Sequence, residues 1–303
     1  MLTLVSSVMG PTGAGKSTFI DFASRQGGQG IGHSLHSQTS DIRAVRCKHP
    51  VDKSSVILVD TPGFDDTNKS DIIILGEISQ WFVRVYKQEI PLAAIIYLHR
   101  ISDNRMGGSP LKNLQMFASM CGGDAMPRVV LGTTMWGEVA HGTGERREGE
   151  LKSKFWADMI AQGCRMVRFG DSYESAWDVI GKLPPAKEGV IISQEIVDDK
   201  KRLNETAAGA KLNEELERLI AQQEAAVRQL EQQSQRTNDP AIVAELEKVE
   251  RRINVVAAEL EKLKIPFTRR VIAFFTGRKA RKTGLRIRKF PSVKFTDSGH
   301  LGL

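Results

Sequence analysis

The chain has little cysteine, no long apolar run and almost no acid at its C-terminal end. Its three cysteines, Cys47, Cys121 and Cys164, stand far apart in 303 residues. That spacing excludes a disulfide framework and a cysteine metal centre, and suits the reduced thiols of an intracellular protein. No stretch approaches the roughly 20 consecutive apolar residues that a membrane-spanning helix needs. The first residues carry no basic segment and enter a strand-like run at once, so the expected location is cytoplasmic, without a secretory leader. Residues 265–303 hold ten Lys and Arg against one acid, Asp297. The formal net charge of +7 is therefore a property of that tail, and the rest of the chain is slightly acidic.

What is present begins at Gly10-Pro11-Thr12-Gly13-Ala14-Gly15-Lys16-Ser17-Thr18. This is G-x-x-x-x-G-K-S, the loop that wraps nucleoside triphosphates. Its glycines allow backbone angles that turn successive N–H groups toward an anion. Lys16 is expected between the β- and γ-phosphates, and the Ser17 hydroxyl on Mg²⁺. The run 2–9 reads as a buried strand before the loop, and residues 17–22 open a helix whose N-terminus faces the phosphates.

Apolar runs and alternations predict further strands at 42–47, 55–60, 92–98, 128–133 and 165–169. Helices are expected at 70–86, 111–120, about 145–161 and 172–180. Alternation of this kind predicts an α/β fold, a mostly parallel sheet between helices, with the loop at the carboxyl end of the first strand. Residues 1–182 form this domain, ending at Leu183-Pro184-Pro185. From 183 to 264 aromatics are few and charge is dense. Ile242, Leu246, Val249, Ile253, Val256, Leu260 and Leu263 recur at coiled-coil spacing. Leu212, Leu216, Leu219, Gln223, Ala226 and Leu230 keep the same spacing less purely. With a turn at Thr237-Asn238-Asp239-Pro240, the two stripes predict an antiparallel helical hairpin.

Asp60-Thr61-Pro62-Gly63 decides what kind of triphosphate site this is. An Asp at the end of a buried strand, 44 residues after Lys16, with a Gly three residues on, has the pattern of a GTPase switch. Its carboxylate is expected to hold Mg²⁺ through water, and the Gly63 amide to bond the γ-phosphate. Thr39 is the first candidate for closing over the metal, with Ser40 and Ser37 as alternatives. The base-reading element is expected after the fifth strand, where Thr133-Thr134-Met135-Trp136 stands. Trp136 occupies the place of the guanine-reading Asp, so a stacking role on the base is expected of it, with Gly170 giving a backbone contact. The missing Asp leaves an ATPase open. Phe64 stands where many GTPases carry a water-orienting Gln, which leaves a nucleotide-binding scaffold with little turnover as the rival reading.

G-P-T-G-A-G-K-S-T, D-T-P-G-F-D-D-T and T-T-M-W, in this order, resemble the septin-related branch of translation-factor-class GTPases, in the style of GIMAP-type immunity-associated GTPases and chloroplast import receptors. The resemblance implies a GTP-binding protein that hydrolyses GTP slowly with Mg²⁺, as a switch or assembly module. It further implies a homodimer formed face to face across the nucleotide and frequent membrane association; the heptad stripes themselves offer a second route to a homodimer. In such relatives an arginine placed like Arg100 reaches into the neighbouring subunit's site. The basic tail, 265–303, sets apolar residues beside cations and suits an anionic membrane surface or a solvated tail. No nucleic-acid fold or motif accompanies it, so nucleic acid is not the expected partner.

Overall fold

The computed structural model describes residues 3–25, 42–66, 69–182, 189–237, 240–264 and 295–297. Two compact units divide the chain: Met1–Asp199 with Arg286–Leu303, and Lys200–Leu285.

The first unit is built on a seven-stranded sheet in the order β6-β5-β4-β1-β3-β2-β7. Its strands are β1 (Thr3–Met9), β2 (Arg43–Lys48), β3 (Ser55–Asp60), β4 (Leu92–Arg100), β5 (Val129–Thr134), β6 (Arg165–Arg168) and β7 (Phe295–Asp297). β1 and β4 lie centrally, and every β4 residue but Arg100 is buried, as strands covered on both faces require. β2 runs antiparallel to β3 because only the short turn around 49–54 joins them. The other pairings are parallel.

Helices α1 (Lys16–Ser24) and α6 (Tyr173–Ile180) pack on each other and on the core formed by Val8, Phe19, Ile96, Leu98, Phe169 and Trp177. α2 (Asp71–Lys87), α3 (Ser109–Cys121) and α7 (Ile191–Val197) form another packed group. The unit therefore continues past the expected boundary at 182, because α7 belongs to it through α2 and α3.

Two further departures have physical causes. The helix expected at about 145–161 is interrupted: α4 (His141–Glu150) passes into a π-turn at Leu151–Phe155 and then α5 (Ala157–Ala161). The Trp156 N–H donates to the Leu151 carbonyl, five residues back, at 2.8 Å. The extra residue turns the Trp156 ring fully inward. In the tail, residues 295–297 pair with β2 as the seventh strand, so this part is not a free solvated tail. The rest of 265–303 lies outside the described residues.

The second unit contains α8 (Ala207–Thr237) and α9 (Pro240–Lys264), which pack on one another. Leu212, Leu216 and Val249 are buried. Leu219 is 41 % exposed, and its neighbour Ile220 is half-buried.

Candidate functional site

Strand β1 delivers residues 10–18 to the carboxyl edge of the sheet. Gly13 and Gly15 both adopt left-handed backbone angles, φ 78° and 84°, which let the chain curl around a central concavity before α1 starts at Lys16. Lys16 Nζ donates to the carbonyls of Gly10 (3.1 Å) and Pro11 (2.9 Å), stretched back along its own loop. Burial pushes its ammonium down to about 8, against the opposing pull of Asp60 and Asp66, and Arg100 lowers it further. Ser17 Oγ donates to Asp60 Oδ2 at 2.7 Å, so the hydroxyl and the carboxylate meet beside the loop although 43 residues separate them.

The turn after β3 is fastened to the loop. The Thr12 N–H donates to the Phe64 carbonyl at 3.0 Å, and Thr12 Oγ1 to the Gly63 carbonyl at 3.3 Å. A Cβ on Gly63 would come within 2.6 Å of the Thr12 nitrogen, so only glycine allows this approach. The Phe64 ring is fully buried. Arg100 ends β4 with its guanidinium over the loop of its own chain: a Cβ on Gly13 would stand 3.1 Å from Nη1. Asp103 holds the other side of the group, Oδ1 to Nε at 3.0 Å.

Behind the loop, Thr134 Oγ1 donates to the Ala14 carbonyl at 3.0 Å, and the Met135 methyl lies against Gly15. Thr134, one of the two threonines expected in the base-reading element, thus braces the loop. Trp136 is engaged elsewhere. Its indole N–H donates to Thr133 Oγ1 at 3.1 Å, Arg168 covers the ring 4.2 Å from its centroid, and Gly144 packs on its edge. These contacts occupy one face and one edge of the indole. The Gly170 N–H is likewise spent, donating to Ser175 Oγ at 3.1 Å. Two carboxylates missed in the base-reading region come near each other here: burial raises Asp171, and Glu138 raises it further. Asp171 sits at φ 49°, an unusual backbone state for a residue other than glycine. Local sequence gives no sign of this pairing, since Asp171 follows β6 and Glu138 follows β5.

Loop, turn and arginine therefore converge, with Gly10–Thr18, Asp60, Gly63 and Arg100 on one edge of the sheet. Thr39, Ser37 and Ser40 lie outside the described residues. Among the described residues no cluster of three His, Cys, Asp or Glu could hold a metal by itself. The Ser17–Asp60 pair fits Mg²⁺, which takes one or two protein oxygens and completes its shell with phosphates and water.

Residues 6–113 match the family described as 50S ribosome-binding GTPase. With the sheet and loop geometry above, the match supports a P-loop GTPase fold and GTP binding. Solved structures similar to the chain include a dimerization-deficient mutant of Toc33 from Arabidopsis thaliana, at 16 % identity and a TM-score of 0.44, covering 57 % of this chain and 72 % of that one. Toc33 from the same plant in complex with Mg²⁺ and GMPPNP is similar at 14 % identity and 0.42, covering 65 % and 82 %. Era from Aquifex aeolicus bound to GDP·AlF4⁻ is similar at 15 % and 0.42, covering 61 % and 58 %. No curated protein matches the sequence.

Proposed function

We propose that the chain binds GTP with Mg²⁺ and hydrolyses it slowly, acting as a nucleotide-controlled switch or assembly module. The observation that carries this reading is the 2.7 Å contact of Ser17 with Asp60, beside a buried lysine on a left-handed glycine loop. When bound, Mg²⁺ would neutralise charge on the β- and γ-phosphates. Lys16 and the loop N–H groups hold the phosphates, Ser17 and Asp60 the metal side, and Thr39 is the proposed closing ligand. Thr12 joins the loop to Gly63 and Phe64, so a γ-phosphate on the loop is felt at the turn after β3. That coupling supports a switch.

Slow turnover follows from Phe64, whose buried ring offers no hydrogen bond to an attacking water. Arg100 supplies charge to the phosphates within its own chain, since it already lies over Gly13. Glu138 and Asp171 supply the acceptor for guanine that Trp136 lacks. The rival, a nucleotide-binding scaffold with little turnover, is favoured by Phe64 alone.

Labelled GTP and ATP binding, with turnover recorded at two protein concentrations, tests the reading. GTP is expected to bind more tightly than ATP, and Lys16→Ala to abolish binding; retained affinity in that variant would reject the site. Turnover per molecule is expected to stay constant with concentration, and Arg100→Ala to lower it about a hundredfold. Should Arg100→Ala be restored by mixing with Lys16→Ala chains, the arginine acts between chains instead.

A further inference from the structure

Beside the phosphate site, on the far side of Arg100, lies a cavity of about 330 Å³ between the segment after β4 and the π-turn. That volume is within the range of small-molecule sites. Its charge is one-sided: Arg100, Arg105, Arg147 and Lys154 face it against Asp103 and Glu150. Asp103 is held by Arg100, and Glu150 by Lys154 at 3.3 Å. Both acids are thus spent, which leaves two arginines in surplus. Arg147 donates to the carbonyls of Ile101 (2.9 Å) and Ser102 (3.0 Å) and to Asn104 Oδ1, with no carboxylate partner among the described residues. Those bonds aim a pre-organised guanidinium along the cavity wall. Arg105 makes no ion pair among the described residues and is exposed at the rim.

A second observation is independent of this charge. His99 lines the cavity, is 3 % exposed, and its Nδ1 has no hydrogen-bond partner among the described residues. The fully buried Trp156, whose ring meets His99 edge-on at 6.1 Å, has an indole N–H in the same condition. A buried polar atom left unpaired costs about 1–3 kcal/mol, which a ligand group reaching His99 Nδ1 would offset. Leu151 and Phe155, brought to the wall by the π-turn, add an apolar side. A π-turn costs hydrogen-bond geometry and recurs where a site needs one residue displaced.

We propose that this cavity is a second binding site, distinct from the phosphate loop, for a small organic anion: an acidic headgroup on Arg105 and Arg147 and an apolar body against Leu151 and Phe155. The headgroup is a carboxylate or a phosphate monoester. This proposal does not depend on which nucleotide the loop binds.

The test titrates phenyl phosphate, benzoate and inorganic phosphate into the full chain, with calorimetry as the readout. Phenyl phosphate or benzoate is expected to saturate one site below about 10 mM, and whichever is tighter identifies the headgroup. The same binding is expected in Lys16→Ala, where the phosphate loop is disabled. Arg147→Gln is expected to weaken it about tenfold. Should that variant fail to fold, Arg105→Gln carries the test, because an exposed residue without an ion pair can be exchanged safely; about threefold is expected there. The proposal is overturned by no saturation with either aromatic probe. It is equally overturned if binding disappears in Lys16→Ala, if inorganic phosphate binds as tightly as phenyl phosphate, or if the arginine variants bind like the parent.

Discussion

At the scale of single residues, Lys16 carries a consequence for pH. Its folded pKa is about 8, below the ordinary 10.5, chiefly because the ammonium is buried. Between those two values the unfolded chain holds more protons than the folded one. The nucleotide-free protein therefore gains stability as pH rises through that window. Nucleotide binding runs the other way, since phosphates require the ammonium. Above about pH 8 affinity is expected to fall by up to tenfold per pH unit. Lys16→Arg stays charged and should lack this decline. Titrations with fluorescent GTP from about pH 7 to 10 check it, and parallel curves for the two proteins would reject the role given to Lys16. The residues legible in the sequence are those whose chemistry is set by their own neighbours: the glycines and lysine of the loop, and Asp60 closing a strand. The surroundings of Trp136 are not legible in this way, because they come from Arg168 and Gly144, on other elements. Which threonine braces Ala14 is hidden for the same reason: only the end of β5 shows that Thr134 faces the loop.

At the scale of elements, hydrophobic period located every strand of the sheet but β7, and all the long helices. Periodicity reports which residues lie on one face, but a change of phase inside a helix needs a partner to reveal it. On α8 the stripe runs Leu212, Leu216 and then Ile220, a second step of four where the heptad calls for three. The neighbouring leucine at 219 satisfies the heptad and still faces outward. Ile220→Ser is expected to cost about 1–3 kcal/mol in thermal unfolding of the helical pair, and Leu219→Ser less than about 0.5. The reverse order would show that Leu219 is covered by another copy of the chain. The π-turn was invisible for a related reason. Nothing in Leu151–Phe155 disfavours an α-helix, and the interruption arises from drawing Trp156 into the interior.

At the scale of the whole molecule, the basic C-terminal segment and the sheet are joined. β7 covers the outer edge of β2, an exposed row of backbone groups that would otherwise invite pairing with another chain. The segment was read as one tail because its charge is continuous, whereas a three-residue strand is too short for periodicity to show. Truncation at 264 therefore confuses two effects, loss of cations and loss of the edge strand. Replacing Arg278, Lys279, Arg281 and Lys282 by Gln separates them, since β7 begins at Phe295. We expect the intact chain to bind vesicles containing anionic lipid and to ignore neutral ones. Each cation near such a surface contributes about 1 kcal/mol, so the fourfold variant should bind about a thousandfold more weakly, while its thermal unfolding stays unchanged. Loss of binding on truncation but not in the fourfold variant would assign the contact to the apolar residues around Phe274 and Phe275. No pelleting of the intact chain with anionic vesicles would reject a membrane role for the segment.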